Sequence, residues 1–192
     1  MKGRIDEQER VLGDTLPLLR ALYAREKNKP QVRVYEGIAG MKSAYLDIVW
    51  KSKTEVLFFS SIKKITETFP DLLNIWLKHV NDRTNPFQSK TREIINPDPE
   101  DLDYGRRAAA LAPNEDRIRV LPKDFPRAFV GTDNAIFEDK IMMVSFEDKL
   151  FTTIIQSQVL TDTMRTLYEL AWRSAEPISV STSSIESSPS TT

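Results

Sequence analysis

Few residues of this chain are suited to nucleophilic, metal or redox chemistry. Its 192 residues contain no cysteine and a single histidine, His79. Disulfides, thiolate ligands and cysteine nucleophiles are therefore excluded, and one chain cannot form a histidine-based zinc site or a pair of catalytic histidines. His79 lies in an apolar helical pattern, where a lone histidine is more often a boundary residue than a ligand. We expect no metal and no cofactor.

The acidic pairs and the glycine cluster do not predict an active site either. Glu138–Asp139 and Glu147–Asp148 adjoin in sequence, so within a strand their side chains would point to opposite faces. Both pairs are instead typical of hairpin turns between short strands. The segment EGIAG has only a G-x-x-G spacing, which is too slight to predict a nucleotide site. The sequence therefore predicts no catalytic residue and no enzyme.

Composition and charge narrow the class of protein further. The net charge is -1 and the pI is near 6.0, whereas a free-standing DNA-binding module usually has a basic surplus. No apolar run approaches the roughly 20 residues of a membrane span. The first ten residues are charged and lack the apolar core of a signal peptide. We expect a cytoplasmic protein with one well-buried domain.

A strand–helix–strand pattern occupies the segment 32–61. Val32–Tyr35 is β-branched and aromatic, Ile38–Lys51 has apolar residues at helical spacing, and Glu55–Phe59 is almost wholly apolar. This order predicts a βαβ unit with a right-handed crossover between parallel strands. Ligand sites of such sheets lie beyond the carboxyl ends of the strands.

The remaining patterns alternate between helices and short strands. The tryptophans at 50, 76 and 172 have apolar neighbours at helical spacing, which favours core positions over sugar stacking. Predicted helices span Ile65–Asp82, Glu100–Leu111 and Gln158–Arg173, and predicted strands span Thr91–Ile95, Arg117–Leu121, Ala128–Val130, Ala135–Phe137, Lys140–Phe146 and Leu150–Ile155.

Six residues at or near the first three predicted strands are candidates for binding a ligand. They are Tyr35, Glu36, Ser60, Ser61, Arg92 and Glu93. The first four follow or end strands, where this architecture opens to ligands. The alternative is that they are ordinary turn residues, with Arg92 and Glu93 forming an internal ion pair or a solvated edge.

The first 29 residues have a short heptad pattern. Ile5, Leu12 and Leu19 recur every seven residues, and Leu16 and Tyr23 each follow four residues after one of them. This pattern predicts a helical segment that forms a homodimer; the alternative is a helix packed on its own domain. The predicted organisation is a helical linker at 1–29, a domain at 30–175 and a disordered tail rich in serine and threonine at 176–192.

Six strings of the sequence together resemble a known family. They are KPQVRVYEGIAGMKSAYLDI, EVLFFSS, TREIINPDPED, RIRVLPKDFP, NAIFEDKIMMVSF and TDTMRTLYELAW. Their order and spacing resemble the C-terminal effector-sensing domain of TrmB-type transcriptional regulators, from about residue 14 to about residue 173. The resemblance implies an α/β fold of the phospholipase D kind, with a mixed sheet flanked by helices and an N-terminal linker helix. In that family a winged helix-turn-helix domain precedes the linker, and these 192 residues do not contain it.

The same resemblance bears on catalysis. Active phospholipase D proteins carry H-x-K-x-x-x-x-D, in which the histidine is the nucleophile and the lysine holds a phosphate oxygen. Asp139 stands at the aspartate position, which places Asn134 at the lysine position and Thr132 at the histidine position. Threonine without a neighbouring base and neutral asparagine cannot supply this chemistry.

The resemblance therefore implies a non-enzymatic sensing and dimerisation domain of a TrmB-like regulator. Its effector is not identified by the sequence, and its contact with DNA would need a fused or separate winged-helix domain. Two alternatives remain. One is a phosphodiesterase or nuclease of the phospholipase D kind, and the other is a protein-interaction module.

Overall fold

An eight-stranded mixed sheet is the centre of the part of the chain that the structure describes. The computed structural model describes residues 29–82, 90–125, 129, 131–147 and 149–178. The strands are β1 Gln31–Glu36, β2 Val56–Ser60, β3 Thr91–Ile95, β4 Ile118–Val120, β5 Thr132–Phe137, β6 Lys140–Ser145, β7 Phe151–Gln156 and β8 Glu176–Pro177.

The strand order combines parallel and antiparallel pairs. It is β1-β7-β6-β5-β2-β3-β4-β8. β2, β3 and β4 are parallel neighbours, and the other neighbours are antiparallel. The predicted α/β class with a mixed sheet is confirmed. The third strand is at the predicted residues, Thr91–Ile95.

The first two strands are not neighbours, contrary to what a simple βαβ unit suggests. β7, β6 and β5 lie between β1 and β2, so β1 is an edge strand. β1 is accordingly more exposed than β2. Val32 and Val34 of β1 are 58% and 59% exposed, whereas Val56 and Leu57 of β2 are buried. Three strands from the second half of the chain pair between the two, which local sequence patterns do not encode.

The helices flank both faces of the sheet. They are α1 Gly37–Ser43, which continues as a π-helical turn over Ala44–Val49, α2 Ile62–Thr68, α3 Leu72–Asn81, α4 Pro99–Leu111 and α5 Gln158–Ser174. The single helix predicted over Ile65–Asp82 is wrong, since α2 and α3 are separate helices. Pro70 explains the break, because proline disfavours helical dihedrals in the residue before it and Phe69 has φ -144° and ψ 73°.

Two apolar layers hold the helices against the sheet. On one face α1 to α4 enclose a core that includes Met41, Phe58 and Phe137. On the other face α5 covers a smaller core that includes Leu57, Ile136 and Tyr168. Trp50, Trp76 and Trp172 are 6%, 5% and 7% exposed, so their predicted core positions are confirmed.

The second half of the chain forms the predicted hairpins. Glu138 and Asp139 form the two-residue turn between β5 and β6, and Glu138 takes the positive φ of 47° that such a turn requires. The predicted strand Ala128–Val130 and the residue Asp148 lie largely outside the described residues. The predicted tail begins too early at 176, because β8 pairs Glu176 and Pro177 with β4. The predicted linker, except Lys29, lies outside the described residues.

Candidate functional site

A small cavity with a largely apolar wall and a few buried polar groups lies between the sheet and the helical layer of α1 to α4. Its volume is about 20 Å³, enough for one or two water-sized groups. Its polar lining comes from β2, β3, β5, α4 and the π-helical turn. The lining residues are Tyr45, Trp50, Phe58, Ser60, Ile62, Ile65, Leu72, Leu73, Trp76, Glu93, Tyr104 and Asp133. We call this space the strand-end cavity.

Asp133 is the most unusual of the lining residues. β5 pairs with β2 so that Asn134 opposes Phe59, and the next step of the same register places Asp133 opposite Ser60. Its Oδ2 accepts a short hydrogen bond from the Tyr45 hydroxyl. Its Oδ1 is buried and has no hydrogen-bond partner among the described residues. Burial raises the pKa of Asp133 to about 7, against hydrogen bonds from Tyr45 and Ser60 that lower it.

Glu93 is the second buried carboxylate of the cavity. It lies on β3 opposite Phe58 of β2 and is 3% exposed. Its Oε2 accepts a hydrogen bond from the Tyr104 hydroxyl at 2.8 Å, and its Oε1 accepts one from Trp76 Nε1 at 3.5 Å. Burial raises the pKa of Glu93, while these donors and the charge of Arg117 oppose the rise.

Asp101 connects the strand ends beside the cavity. This buried α4 residue accepts hydrogen bonds from the backbone N–H groups of Ile62 at 3.3 Å, Lys63 at 3.0 Å and Asn96 at 3.1 Å. It therefore joins the start of α2 to the residue that follows β3. Burial raises the pKa of Asp101 to about 6, and the three backbone donors limit the rise.

The structure brings three of the six predicted site residues to this region. Ser60 and Glu93 line the cavity, and Ser61 is buried immediately before α2. Tyr35 and Glu36 are at the end of β1, four strand positions away from β2. At about 4.8 Å per strand this is roughly 19 Å across the sheet, so the structure does not place these two residues beside the others.

Arg92 lies on the opposite face of the sheet from Glu93. Its guanidinium is 3.1 Å from a Glu55 carboxylate oxygen and 2.6 Å from one of Glu169. It also lies over the ring of Trp172, 5.2 Å from the centroid. The hypothesis of an ion pair between Arg92 and Glu93 is therefore wrong, since successive strand residues face opposite ways. Arg92 instead fastens α5 to the sheet.

Sequence reasoning missed four polar or aromatic members of the cavity: Tyr45, Trp76, Tyr104 and Asp133. The tyrosines and the tryptophan occupy ordinary apolar helix positions in the sequence, and nothing there distinguishes them. Asp133 had a recognisable signal, because it shares alternate positions with the core residues Ala135 and Phe137. An acid on the buried face of a strand usually has a hydrogen-bond or ion-pair partner or a functional role.

The positions of the phospholipase D motif are on the other face of β5. Asn134 Nδ2 donates a hydrogen bond to Thr132 Oγ1 at 3.4 Å. Asp139, in the turn after β5, accepts hydrogen bonds from Gln156 Nε2 at 2.8 Å and Lys140 Nζ at 3.0 Å. The residues that the resemblance aligns with the histidine and the lysine of the motif are thus neutral and lie on this face, and Asp139 stabilises the hairpin.

Within the described ranges, no group of three or more histidine, aspartate or glutamate side chains is arranged to hold a metal ion. None of the helices in those ranges combines the length and apolar character needed to cross a bilayer.

Comparisons with known proteins identify the fold. No protein-family model and no curated protein matches the chain. It is similar to the structure of TrmBL2, an archaeal chromatin protein with a novel mode of DNA binding, with a TM-score of 0.53 and 13% identity over 92% of this chain and 63% of that one. It is also similar to Nuc from Salmonella typhimurium, a phospholipase D family member, with a TM-score of 0.53 and 11% identity over 77% of this chain and 97% of Nuc.

These similarities concern the fold alone. The phospholipase D-like fold implied by the sequence resemblance is confirmed. The chain spans only about 63% of the length of TrmBL2.

Proposed function

We propose that this phospholipase D-like domain is a non-enzymatic sensing and dimerisation domain of a TrmB-like transcriptional regulator in the cytoplasm. The observation that carries the proposal is the pair Thr132 and Asn134 on β5. These residues occupy the positions of the nucleophile and the phosphate-binding lysine, and they bond to each other. A domain that retains the phospholipase D-like fold but lacks these two groups is suited to binding rather than to hydrolysis.

The chain is expected to hydrolyse no phosphodiester. Loss of a catalytic nucleophile typically removes about a millionfold of the rate, so turnover of bis-p-nitrophenyl phosphate or plasmid DNA should not exceed that of buffer, with or without magnesium. Nuc under the same conditions is the positive control. Turnover that disappears in Asp139→Asn or His79→Ala would contradict the proposal and favour the enzyme alternative.

The strand-end cavity supports a sensing role. Ser60 is the last residue of β2 and Asp133 is the second residue of β5, and buried Glu93 and two phenols complete the polar lining. Ligand sites of open sheets lie beyond the ends of such strands. Ser60, Ser61 and Glu93 are the predicted site residues that we retain for an effector. We propose no shared site for Tyr35, Glu36 and Arg92. A thermal-shift screen of sugars, nucleotides and small metabolites tests the role, because a ligand of the folded state raises its stability by mass action.

Dimerisation is supported by an apolar surface next to the predicted linker. Val32 and Val34 are on one face of β1, which is an edge strand, and Met143 of β6 is on the same face by the strand register. Met143 is 46% exposed. The linker at 1–29 leads directly into β1, so its apolar seam and this exposed surface are contiguous along the chain. Burying both in a homodimer would remove them from water.

The intact chain is expected to sediment as a dimer at tens of micromolar, and Leu12→Asp/Leu19→Asp as a monomer. Two charges in the seam would each have to be buried in the dimer, which is strongly unfavourable. A chain that begins at Lys29 should likewise be monomeric. The control is Leu111→Asp, at an exposed position at the end of α4, which should remain dimeric. A monomeric wild-type chain would refute this part of the proposal.

In this proposal, contact with DNA belongs to a fused or separate winged-helix domain. The chain has 27 lysine and arginine residues against 28 aspartate and glutamate residues, so its charge offers no excess to neutralise phosphates. The domain would transmit effector binding to such a partner through the dimer.

A further inference from the structure

The strand-end cavity contains an acceptor that its own residues leave unused. Asp133 is 1% exposed and lines the cavity, and its Oδ1 has no hydrogen-bond partner within the described residues. A buried carboxylate oxygen without a donor costs stability comparable to a lost charged hydrogen bond. Such an atom is a strong indication that a donor or a cation completes the site.

The charges around the cavity favour a cation. The donors to Asp133 are the neutral hydroxyls of Tyr45 and Ser60, and those to Glu93 are the neutral groups of Tyr104 and Trp76. Neither carboxylate takes part in an ion pair among the described residues. The charge of Arg117 acts on Glu93, whereas no cation among the described residues is paired with Asp133, and a buried acid in that state is unfavourable unless a proton or a bound positive charge compensates it.

Size and wall chemistry restrict the cation further. The volume of about 20 Å³ admits only one or two groups the size of a water molecule. The apolar part of the wall is mixed, with the aromatic rings of Trp50, Phe58 and Trp76 beside four aliphatic side chains of α2 and α3. The ring centroids of Trp50 and Trp76 are 5.3 Å apart, and those of Phe58 and Trp76 are 5.6 Å apart. Aromatic faces stabilise nitrogen cations. A site with both aromatic rings and carboxylates is therefore more selective for such cations than carboxylates alone.

We propose that the strand-end cavity binds an ammonium group, either as the free ion or as the head of a small primary amine. An ammonium group has the size of a water molecule and several N–H donors. Asp133 Oδ1 would accept one of them, and the hydroxyl oxygens of Ser60, Tyr45 and Tyr104 are the further acceptors of the lining. This inference rests on the proposed sensing function, because it names the ligand class for the same site.

Binding should depend on pH, because a proton on Asp133 competes with the cation. The titratable or charged groups near Asp133 are Tyr45 of the π-helical turn, Glu93 of β3, Asp101 and Tyr104 of α4, and Arg117, whose charge acts on Glu93. Ammonium stays charged between pH 6 and 8, whereas Asp133 loses its proton over this range. Ammonium should therefore stabilise the protein more at pH 8 than at pH 6.

The test is thermal unfolding in ammonium, methylammonium, sodium and potassium chlorides at equal ionic strength. At a saturating concentration, ammonium should raise the Tm by at least about 2–4 °C beyond sodium at pH 8. Asp133→Asn should lose this increment, since its side chain carries no charge. Asp47→Asn, which changes an exposed carboxylate on the π-helical turn, should keep it. Methylammonium distinguishes the two sources, because a larger shift than with ammonium indicates an amine head group.

Equal shifts with all four salts would overturn the inference, as would an ammonium-specific shift that survives in Asp133→Asn. Either result leaves the proposed function separately testable, because the phosphodiesterase assay and the metabolite screen do not depend on ammonium.

Discussion

Asp133→Asn is expected to stabilise the protein at pH 8 and to flatten the dependence of its stability on pH. Asparagine has the shape of the protonated acid but cannot ionise. The pKa of Asp133 is about 7 in the folded state, against about 3.9 for an unfolded chain. The folded state binds this proton more tightly than the unfolded state does, so proton binding by Asp133 adds to the free energy of unfolding. This contribution is fully present below pH 4. It is lost as the pH rises to about 7.

The expected size of this effect is large for a single group. A shift of about three pKa units corresponds to at most about 4 kcal/mol, and coupling to Glu93 reduces what one substitution recovers. We expect the free energy of unfolding of Asp133→Asn to exceed that of the wild type by about 2–4 kcal/mol at pH 8. At pH 5 the difference should be smaller, about 1–2 kcal/mol, because the unfolded wild type has already lost this proton whereas the folded wild type still keeps it.

Urea unfolding at pH 5, 6, 7 and 8 measures the effect. Asp47→Asn is the matched control, because the pKa of exposed Asp47 is lowered by Lys51 and Ser43 and that group does not titrate in this range. Its curve should run parallel to that of the wild type. If Asp133→Asn shows the wild-type slope between pH 5 and 8, the buried-acid interpretation of Asp133 is incorrect.

Asp101→Ala is expected to lower the free energy of unfolding by about 3–5 kcal/mol, because a buried carboxylate with several donors is removed. The backbone N–H groups of Ile62, Lys63 and Asn96 lose their acceptor together. These groups lie at the start of α2 and immediately after β3, so the strand ends should loosen locally. Asp101→Asn keeps one carbonyl acceptor and should have an intermediate effect.

Asp98→Ala provides the comparison for this substitution. Asp98 precedes α4, is exposed and makes no side-chain cap hydrogen bond, so its loss should cost less than about 1 kcal/mol. Urea unfolding at pH 7 gives both values, and hydrogen exchange of the Ile62 and Lys63 amides locates the change. Equal losses in Asp98→Ala and Asp101→Ala would show that the three hydrogen bonds contribute nothing specific.

Local patterns predicted the helices and strands well where their causes were local. α4 follows from Pro99 at its start and a run of alanines, and β3 follows from the short segment TREII between polar breaks. The break between α2 and α3 was also present in the sequence as Pro70. It was missed because the apolar spacing continues on both sides of the proline.

The candidate site was only partly predictable, and Arg92 and Glu93 show why. Both were chosen together as neighbours, yet the pleat of β3 directs Glu93 into the strand-end cavity and Arg92 towards Glu55 and Glu169. Alternation along a strand is known from sequence, but which face carries the cavity depends on the helices that cover it.

The sequence by itself determined most of the elements and the α/β class, because residue type and spacing suffice for both. Only the tertiary structure decided that β5 to β7 lie between β1 and β2. That arrangement separates Tyr35 from Ser60 and places Asp133 beside Ser60. The physical reason is that strand pairing joins residues distant in sequence, such as Ser60 and Asp133, and no local periodicity records which strands will pair.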